Sequence, residues 1–325
     1  MSAADKRLLV DCYLDSLRTQ RKLSEHTVRH YGHDLAELLT LAEPIVENAA
    51  FGAVTHFHIR KFASQLHSNG LNARSIARKL SCWRGFFNWL SLQEGTLSSN
   101  PVDGVKPPKR AKPLPKALSA DDAVRLVAHI SPGENADAAM QRCNRAMFEL
   151  LYSSGLRVSE LVGLDLRYTK ESTYVSLGWI NFDSHDVTVT GKGNKMRSVP
   201  IGAAAITALA DWLAVRATLV KSDPTPLFLS ERGTRMSVRV VQLRLKAHAQ
   251  ALGIPADVHP HVLRHSFASH ILQSSGDLRA VQEMLGHATI AATQVYTSLD
   301  FQRLAQVYDA AHPRAKKKGK TDAAK

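Results

Sequence analysis

Four separated stretches of the chain concentrate side chains suited to work on a phosphate group. They are Gly155-Leu156-Arg157-Val158-Ser159-Glu160-Leu161, Gly191-Lys192-Gly193-Asn194-Lys195, His261-Val262-Leu263-Arg264-His265, and Gly286-His287 followed nine residues later by Tyr296. Guanidinium forks match phosphate oxygens, imidazole and ammonium groups move protons, and a phenol can act as a nucleophile. Each stretch alone is a weak signal. A lone arginine before a helix is more often structural than catalytic, and the Gly and Asn of 191–195 would serve any tight turn. That turn lacks the GxxxxGK[ST] pattern, which excludes a P-loop. Tyr296 is one of seven tyrosines, and its place after His287 singles it out.

Two histidine groups raise a metal alternative: His259, His261, His265 and His270, and His26, His30 and His33 at helical spacing. Neither has carboxylate or thiol ligands at suitable intervals, which argues against ligation. His26, Arg29 and His30 fit a polar, DNA-facing surface better, and His265 a packed or supporting position. Cys12, Cys82 and Cys143 form an odd set with no CxxC pair, read as reduced thiols.

The elements that must position these groups are mostly helical. Residues 1–97 carry candidate N-caps at Ser24, Thr55 and Asn72 and a glycine stop at Gly70, which fits four helices. The last aligns Ile76, Leu80, Trp83, Phe87 and Leu90 in one apolar stripe, with Arg74, Arg78, Lys79 and Arg84 largely off it. A helical bundle with a basic, DNA-binding outer face follows. From 98 to 117 five prolines alternate with Lys106, Lys109, Arg110, Lys112 and Lys116, a stiff cationic linker able to track a phosphate backbone. A second region, 118–312, opens with a capping signal at Ser119 to Asp122. Within it Trp179–Phe182, Val187–Thr190 and Met196–Ile201 read as short strands, and the rest as helix. Residues 313–325 form a basic tail. Candidate base contacts lie in the Arg74 to Arg84 helix and near Arg235, Arg239 and Arg244.

Bulk properties agree with a DNA-handling protein. A length of 325 residues suits two domains. The 42 Lys and Arg against 29 Asp and Glu, a formal +13, favour a polyanion: nucleic acid first, an anionic membrane surface second. No apolar run of about 18 residues and no apolar signal core occurs, so a cytoplasmic protein without membrane insertion is expected.

Together, in this order and after a basic helical domain, the four stretches resemble the catalytic set of the tyrosine recombinases, the lambda-integrase family, over essentially the whole chain. The segment from Asp300-Phe301 through Val307-Tyr308-Asp309-Ala310-Ala311-His312-Pro313-Arg314 resembles the C-terminus of the Xer subfamily. The resemblance implies a mainly α fold with a small β-sheet. An N-terminal helical core-binding, SAM-like domain and a C-terminal α/β catalytic domain would close around DNA as a clamp.

It also implies a reaction. Tyr296 would attack a phosphodiester, giving a 3′-phosphotyrosyl link and a free 5′ hydroxyl. A phenol of ordinary pKa is only roughly 0.1% ionised at neutral pH, so the proton needs a base. His261 would take that acid/base role, and His287 would bind the phosphate or position the nucleophile. Arg157 and Arg264 would clamp the non-bridging oxygens, and Lys192, at a hairpin tip, would protonate the departing 5′ oxygen. Glu160 would support the site from behind. Bond energy stays in the protein–DNA link, so neither ATP nor a metal or other cofactor is expected. Strands would then exchange through a Holliday junction.

The same resemblance names partners. These are double-stranded DNA with a dif-like site, the paralogue XerD in a heterotetrameric synapse, and the translocase FtsK as regulator, with resolution of chromosome dimers at cell division as the outcome. The helix after Tyr296, with Phe301, Leu304 and Val307 on one face, is expected to dock into a neighbouring subunit. Alternatives are a phage or transposon integrase, a DNA-binding protein without activity, and a topoisomerase. One departure from the family pattern stands out: residues 168–178 read as an inserted loop, and if they shift the hairpin, Lys195 replaces Lys192.

Overall fold

The structure is a computed structural model that describes residues 3–46, 50–94, 97, 99–109, 117–129, 138–191, 195–254, 257–286 and 298–315. The chain divides into two compact units, Met1–Pro113 and Leu114–Lys325.

The first unit is built from α1 (Ala3–Thr19), α2 (Glu25–Val46), α3 (His56–Ser68) and α4 (Ala73–Glu94). Its helix ends follow local chemistry. Ser24 Oγ accepts from Thr27 N and Asn72 Oδ1 from Ser75 N, each satisfying an orphan donor of a first turn. At Thr55 the partner in the capping box is His58, whose Nδ1 accepts from Thr55 N at 3.1 Å. Gly70 turns the chain after α3 with φ +84°, a conformation that favours glycine. The α4 stripe is buried as its spacing requires: Ile76, Leu80, Trp83, Phe87 and Leu90 pack with Tyr13, Leu35, Phe51 and Phe62. This core reaches further along the chain than composition suggests. Pro101, Val102 and Val105, in the expected linker, are buried, and Val102 and Val105 belong to it. Asn100 Nδ2 donates to Arg84 O at 3.0 Å and fastens the segment to α4.

The second unit is organised around α6 (Ala138–Ser154), buried on every side from Ala146 to Ser154. A helix enclosed all round must satisfy its polar groups internally. Ser153 Oγ pairs with Tyr308 Oη at 2.6 Å, and Glu149, fully buried, receives Arg314 Nε at 3.1 Å. Around it stand α5 (Ala120–Ala128), the short α7 (Val158–Val162), α8 (Ala203–Arg216), α9 (Val238–Ala251), α10 (Pro260–Ser275), α11 (Leu278–Leu285) and α12 (Ser298–Ala311). Ser119 Oγ accepts from Asp122 N at 3.0 Å, the cap that opens α5.

Three antiparallel strands, β1 (Gly178–Asn181), β2 (Asp186–Thr190) and β3 (Met196–Pro200), form a sheet in sequence order. Each lies within a residue or so of its expected position. Ile180, Val187, Val189 and Val199 face the core.

Residues 168–178 form a stitched turn rather than a loose excursion. Glu171 N donates to Tyr174 O and Ser176 N to Thr169 O. Tyr174 Oη donates to the buried Asp165 at 2.7 Å, and Arg235 completes the triad through its own 2.7 Å bond to Asp165. The strands after it keep their register, and Gly191 N donates to Lys195 O at 2.8 Å between β2 and β3.

Part of the expected apolar face of the last helix packs within its own unit. Leu304 and Tyr308 are buried in the core of their own unit, and α12 lies against α10 and β3 of the same chain. Ser153 and Gly202, on α6 and at the start of α8, supply partners for the Tyr308 hydroxyl.

Candidate active site

Arg157 sits at the N-cap of α7, directly after the end of α6. Gly155 makes that junction possible. Its φ is +59°, and an added Cβ would lie 2.4 Å from Phe267 Cδ1, so both backbone and space demand glycine. Glu160, at the third position of α7, folds back. Its Oε2 accepts from Arg157 N at 2.8 Å and its Oε1 from Arg157 NH1 at 2.9 Å.

Arg264 arrives from α10, whose first turn is set by Pro260 at its start. NH1 of Arg264 donates to Gly155 O at 2.5 Å and NH2 to Leu285 O at 2.6 Å. One guanidinium thus ties the α6–α7 junction to the end of α11. Burial, then the neighbouring Arg157, pushes its pKa down to about 10, leaving it protonated at neutral pH. His261 lies three residues earlier on the same helix, at its exposed start, with its ring stacked 6.4 Å from that of His259.

Glu160 is the electrostatic centre. Its carboxylate is 4.0 Å from Arg264 NH1, bound to Arg157, and gripped by a further arginine: Arg197 NH1 donates to Oε1 at 2.9 Å and NH2 to Oε2 at 2.8 Å. Burial alone would raise its pKa, but the bonds and charge of Arg197, then Arg157, outweigh it and hold the carboxyl below the usual range. Arg197 also gives Nε to Met284 O at 2.9 Å. Sequence reading missed this residue. The signal was present in the alternation of β3, which puts Arg197 on the inward face with Val199, and an inward cation must have a partner.

The structure therefore brings Arg157, Glu160 and Arg264 together from two distant segments. It places His261 beside them on α10 and ends the β2–β3 hairpin and α11 nearby. Lys192, His287 and Tyr296 lie outside the described residues, as does Arg110. His270 is drawn into the core, bonded to Tyr152 Oη and Leu118 O. Among the described residues no group of three or more His, Cys, Asp or Glu is placed to hold a metal ion.

The expected DNA-binding set divides. Arg74 and Lys109 are exposed, and Arg78 is partly so, paired with Asp34. Lys79 is buried, its ammonium held by Asp34 at 3.0 Å and by Glu37, so its charge is neutralised inside the unit. Arg84 turns toward the chain after α4, pairing with Asp103 and donating to Val102 O. Farther on, Arg235 is committed to Asp165 and to the carbonyls of Val162 and Leu164, and Arg244 to Glu231 and Asn144, while Arg239 is exposed.

The chain is similar to known proteins along most of its length. The Phage integrase family matches residues 116–303, and the Phage integrase, N-terminal SAM-like domain matches residues 10–94. The chain is 55% identical over 314 residues to a protein named Tyrosine recombinase XerC from Ralstonia pickettii (strain 12J), covering 95% of this chain and 94% of that one. It is 46% identical to Tyrosine recombinase XerC from Pseudomonas aeruginosa (strain LESB58), covering 96% and 97%. Among solved structures, it resembles the XerH site-specific recombinase bound to palindromic difH substrate in a post-cleavage complex. The TM-score there is 0.65 at 21% identity, over 89% of this chain and 81% of that one. A lambda integrase dimer bound to a COC′ core site gives a TM-score of 0.62 at 18% identity, over 91% and 100%. The fold is shared with both.

Proposed function

The chain belongs to the phage integrase family of tyrosine recombinases, site-specific DNA recombinases, and from that premise we propose how it acts and on what. Tyr296 attacks a scissile phosphodiester, Arg157 and Arg264 hold its non-bridging oxygens, and His261 and His287 move protons and position the phosphate. Lys192, in the turn joining β2 to β3, protonates the 5′ leaving oxygen. Arg74, Arg78, Lys109 and Arg110 hold the backbone. Neither ATP nor a metal enters the reaction.

The observation that carries this reading is the convergence of Arg157 and Arg264 on one buried carboxylate, within 2.9 and 4.0 Å of Glu160. Two guanidiniums held beside each other by a single anion leave a net positive site. That is what an incoming phosphate, gaining charge in its transition state, requires. Electrostatic stabilisation of this kind is lost when a donor is removed, typically by on the order of a hundred- to thousandfold in rate.

The high identity to proteins named XerC supports a finer reading. The chain would act in the cytoplasm with XerD, two copies of each, on dif sites to resolve chromosome dimers before division, under control of FtsK. No helix among the described residues is long and apolar enough to cross a membrane.

The test is a nicked dif-like duplex incubated with the protein, with and without a XerD partner, and without ATP or metal. A covalent protein–DNA band on a denaturing gel, present with the native chain and absent with Tyr296→Phe, is expected. Binding without that band under both conditions would overturn the mechanism.

A further inference from the structure

We infer that Arg197 is a positioning residue of the reaction: by neutralising Glu160 with a fork, it leaves the charge of Arg157 and the donors not bonded to Glu160 for the phosphate, and it fixes the end of α11. The inference rests on the proposed role of Arg157 as a phosphate clamp.

The geometry is economical. Glu160 offers two oxygens to two arginines, and each oxygen takes one bond from the Arg197 fork and one from Arg157. Arg197 is buried at 5% exposure, whereas the Arg157 side chain is 42% exposed. One cation therefore serves as the permanent counterion, and the other keeps donors facing outward. A guanidinium carries five N–H donors in a fixed fork. Arg197 spends two on Glu160 and a third, Nε, on Met284 O.

The third bond reaches the last turn of α11. There Arg264 also holds Leu285 O, and Gly286, at φ +65°, packs closely on Arg197, since an added Cβ would lie 3.0 Å from Arg197 Cδ. His287 follows directly in sequence. The strand that carries Arg197 also begins four positions after Lys192 in sequence. A single inward side chain on β3 thereby couples the Arg157 segment to the approach to His287.

Removing Arg197 leaves the buried Glu160 hydrogen-bonded to Arg157 alone, with Arg264 4.0 Å away. Its negative charge then falls on Arg157 and opposes the phosphate. The damage is specific to a charged scissile group. A lysine at 197 keeps the positive charge but, as a point donor, cannot span both carboxylate oxygens and the Met284 carbonyl.

The experiment compares single-turnover cleavage of two nicked substrates. One has the natural phosphate, the other a methylphosphonate at the scissile position, where a methyl group replaces one non-bridging oxygen and removes the charge. The rate ratio of phosphate to methylphosphonate is independent of the fraction of protein folded, so a destabilised variant still reports. Arg197→Met and Arg197→Lys should both lower this ratio by roughly ten- to a hundredfold relative to the native chain, as should Arg157→Ala. If Arg157→Ala lowers the ratio while both Arg197 variants leave it at the native value, Arg197 is merely structural and the inference fails. If Arg157→Ala leaves the ratio unchanged, the phosphate-clamp reading itself fails.

Discussion

His312 and Tyr308 stack one turn apart at the end of α12, with ring centroids 4.8 Å apart and planes 9° from parallel. The backbone around them fixes the imidazole in one neutral tautomer. Arg314 N donates to Nδ1 at 3.1 Å, so Nε2 carries the proton that it gives to Tyr152 O at 3.2 Å. Protonating Nδ1 would destroy the first bond and bury a charge. Accordingly, burial pushes the pKa down to about 3.

A pH dependence of stability follows. A histidine whose folded pKa lies below its unfolded value of about 6.5 contributes stability that is complete above pH 6.5. That contribution is lost as pH falls toward the folded value of about 3. Between pH 7.5 and 5.5 the loss from this one group should be about 1 kcal/mol. Urea unfolding at the two pH values should show this increment in the native chain and its absence in His312→Gln. An equal pH response in both proteins would disprove the assignment.

Gly155 is the second test. Substitution by alanine imposes a side chain at positive φ and drives its Cβ into the ring of Phe267. The combined cost should be about 2–4 kcal/mol. Because Gly155 O is also the acceptor for Arg264, cleavage should fall further than the loss of folded protein explains. Calorimetry beside an active-site titration separates the two effects, and a variant with native Tm and native rate would refute the account.

The division among the basic residues of α4 gives a third prediction. Arg74 is exposed and Lys79 is locked to Asp34 and Glu37. Arg74→Ala should reduce the slope of log K against log salt by about 1 with little change in stability. Lys79→Ala should leave that slope nearly unchanged but cost about 1–3 kcal/mol, because the buried Asp34 loses one of its two cationic partners and keeps only Arg78. The reverse pattern, measured by binding isotherms at several salt concentrations and by urea unfolding, would show that the burial of Lys79 does not describe the protein on DNA.

Much of this was legible in the sequence because it depends on short-range physics. The caps at Ser24, Asn72 and Ser119, the turn at Gly70 and the stripe of α4 each follow from side chains within a few residues of one another. The residue types and order of the four phosphate-directed stretches were enough to indicate the family and its chemistry. What only the tertiary structure decided is which charge meets which.

Lys79 and Arg74 share a helix and a composition, yet one is a core counterion because Asp34, 45 positions away, is carried by α2 to meet it. Arg197 is set by packing against Glu160, 37 positions earlier. The Tyr308 hydroxyl meets its partner Ser153 across 155 positions of chain. Periodicity tells a side chain whether to face inward. The partner that makes an inward charge affordable is chosen by contacts between elements distant in sequence, and no local pattern records them.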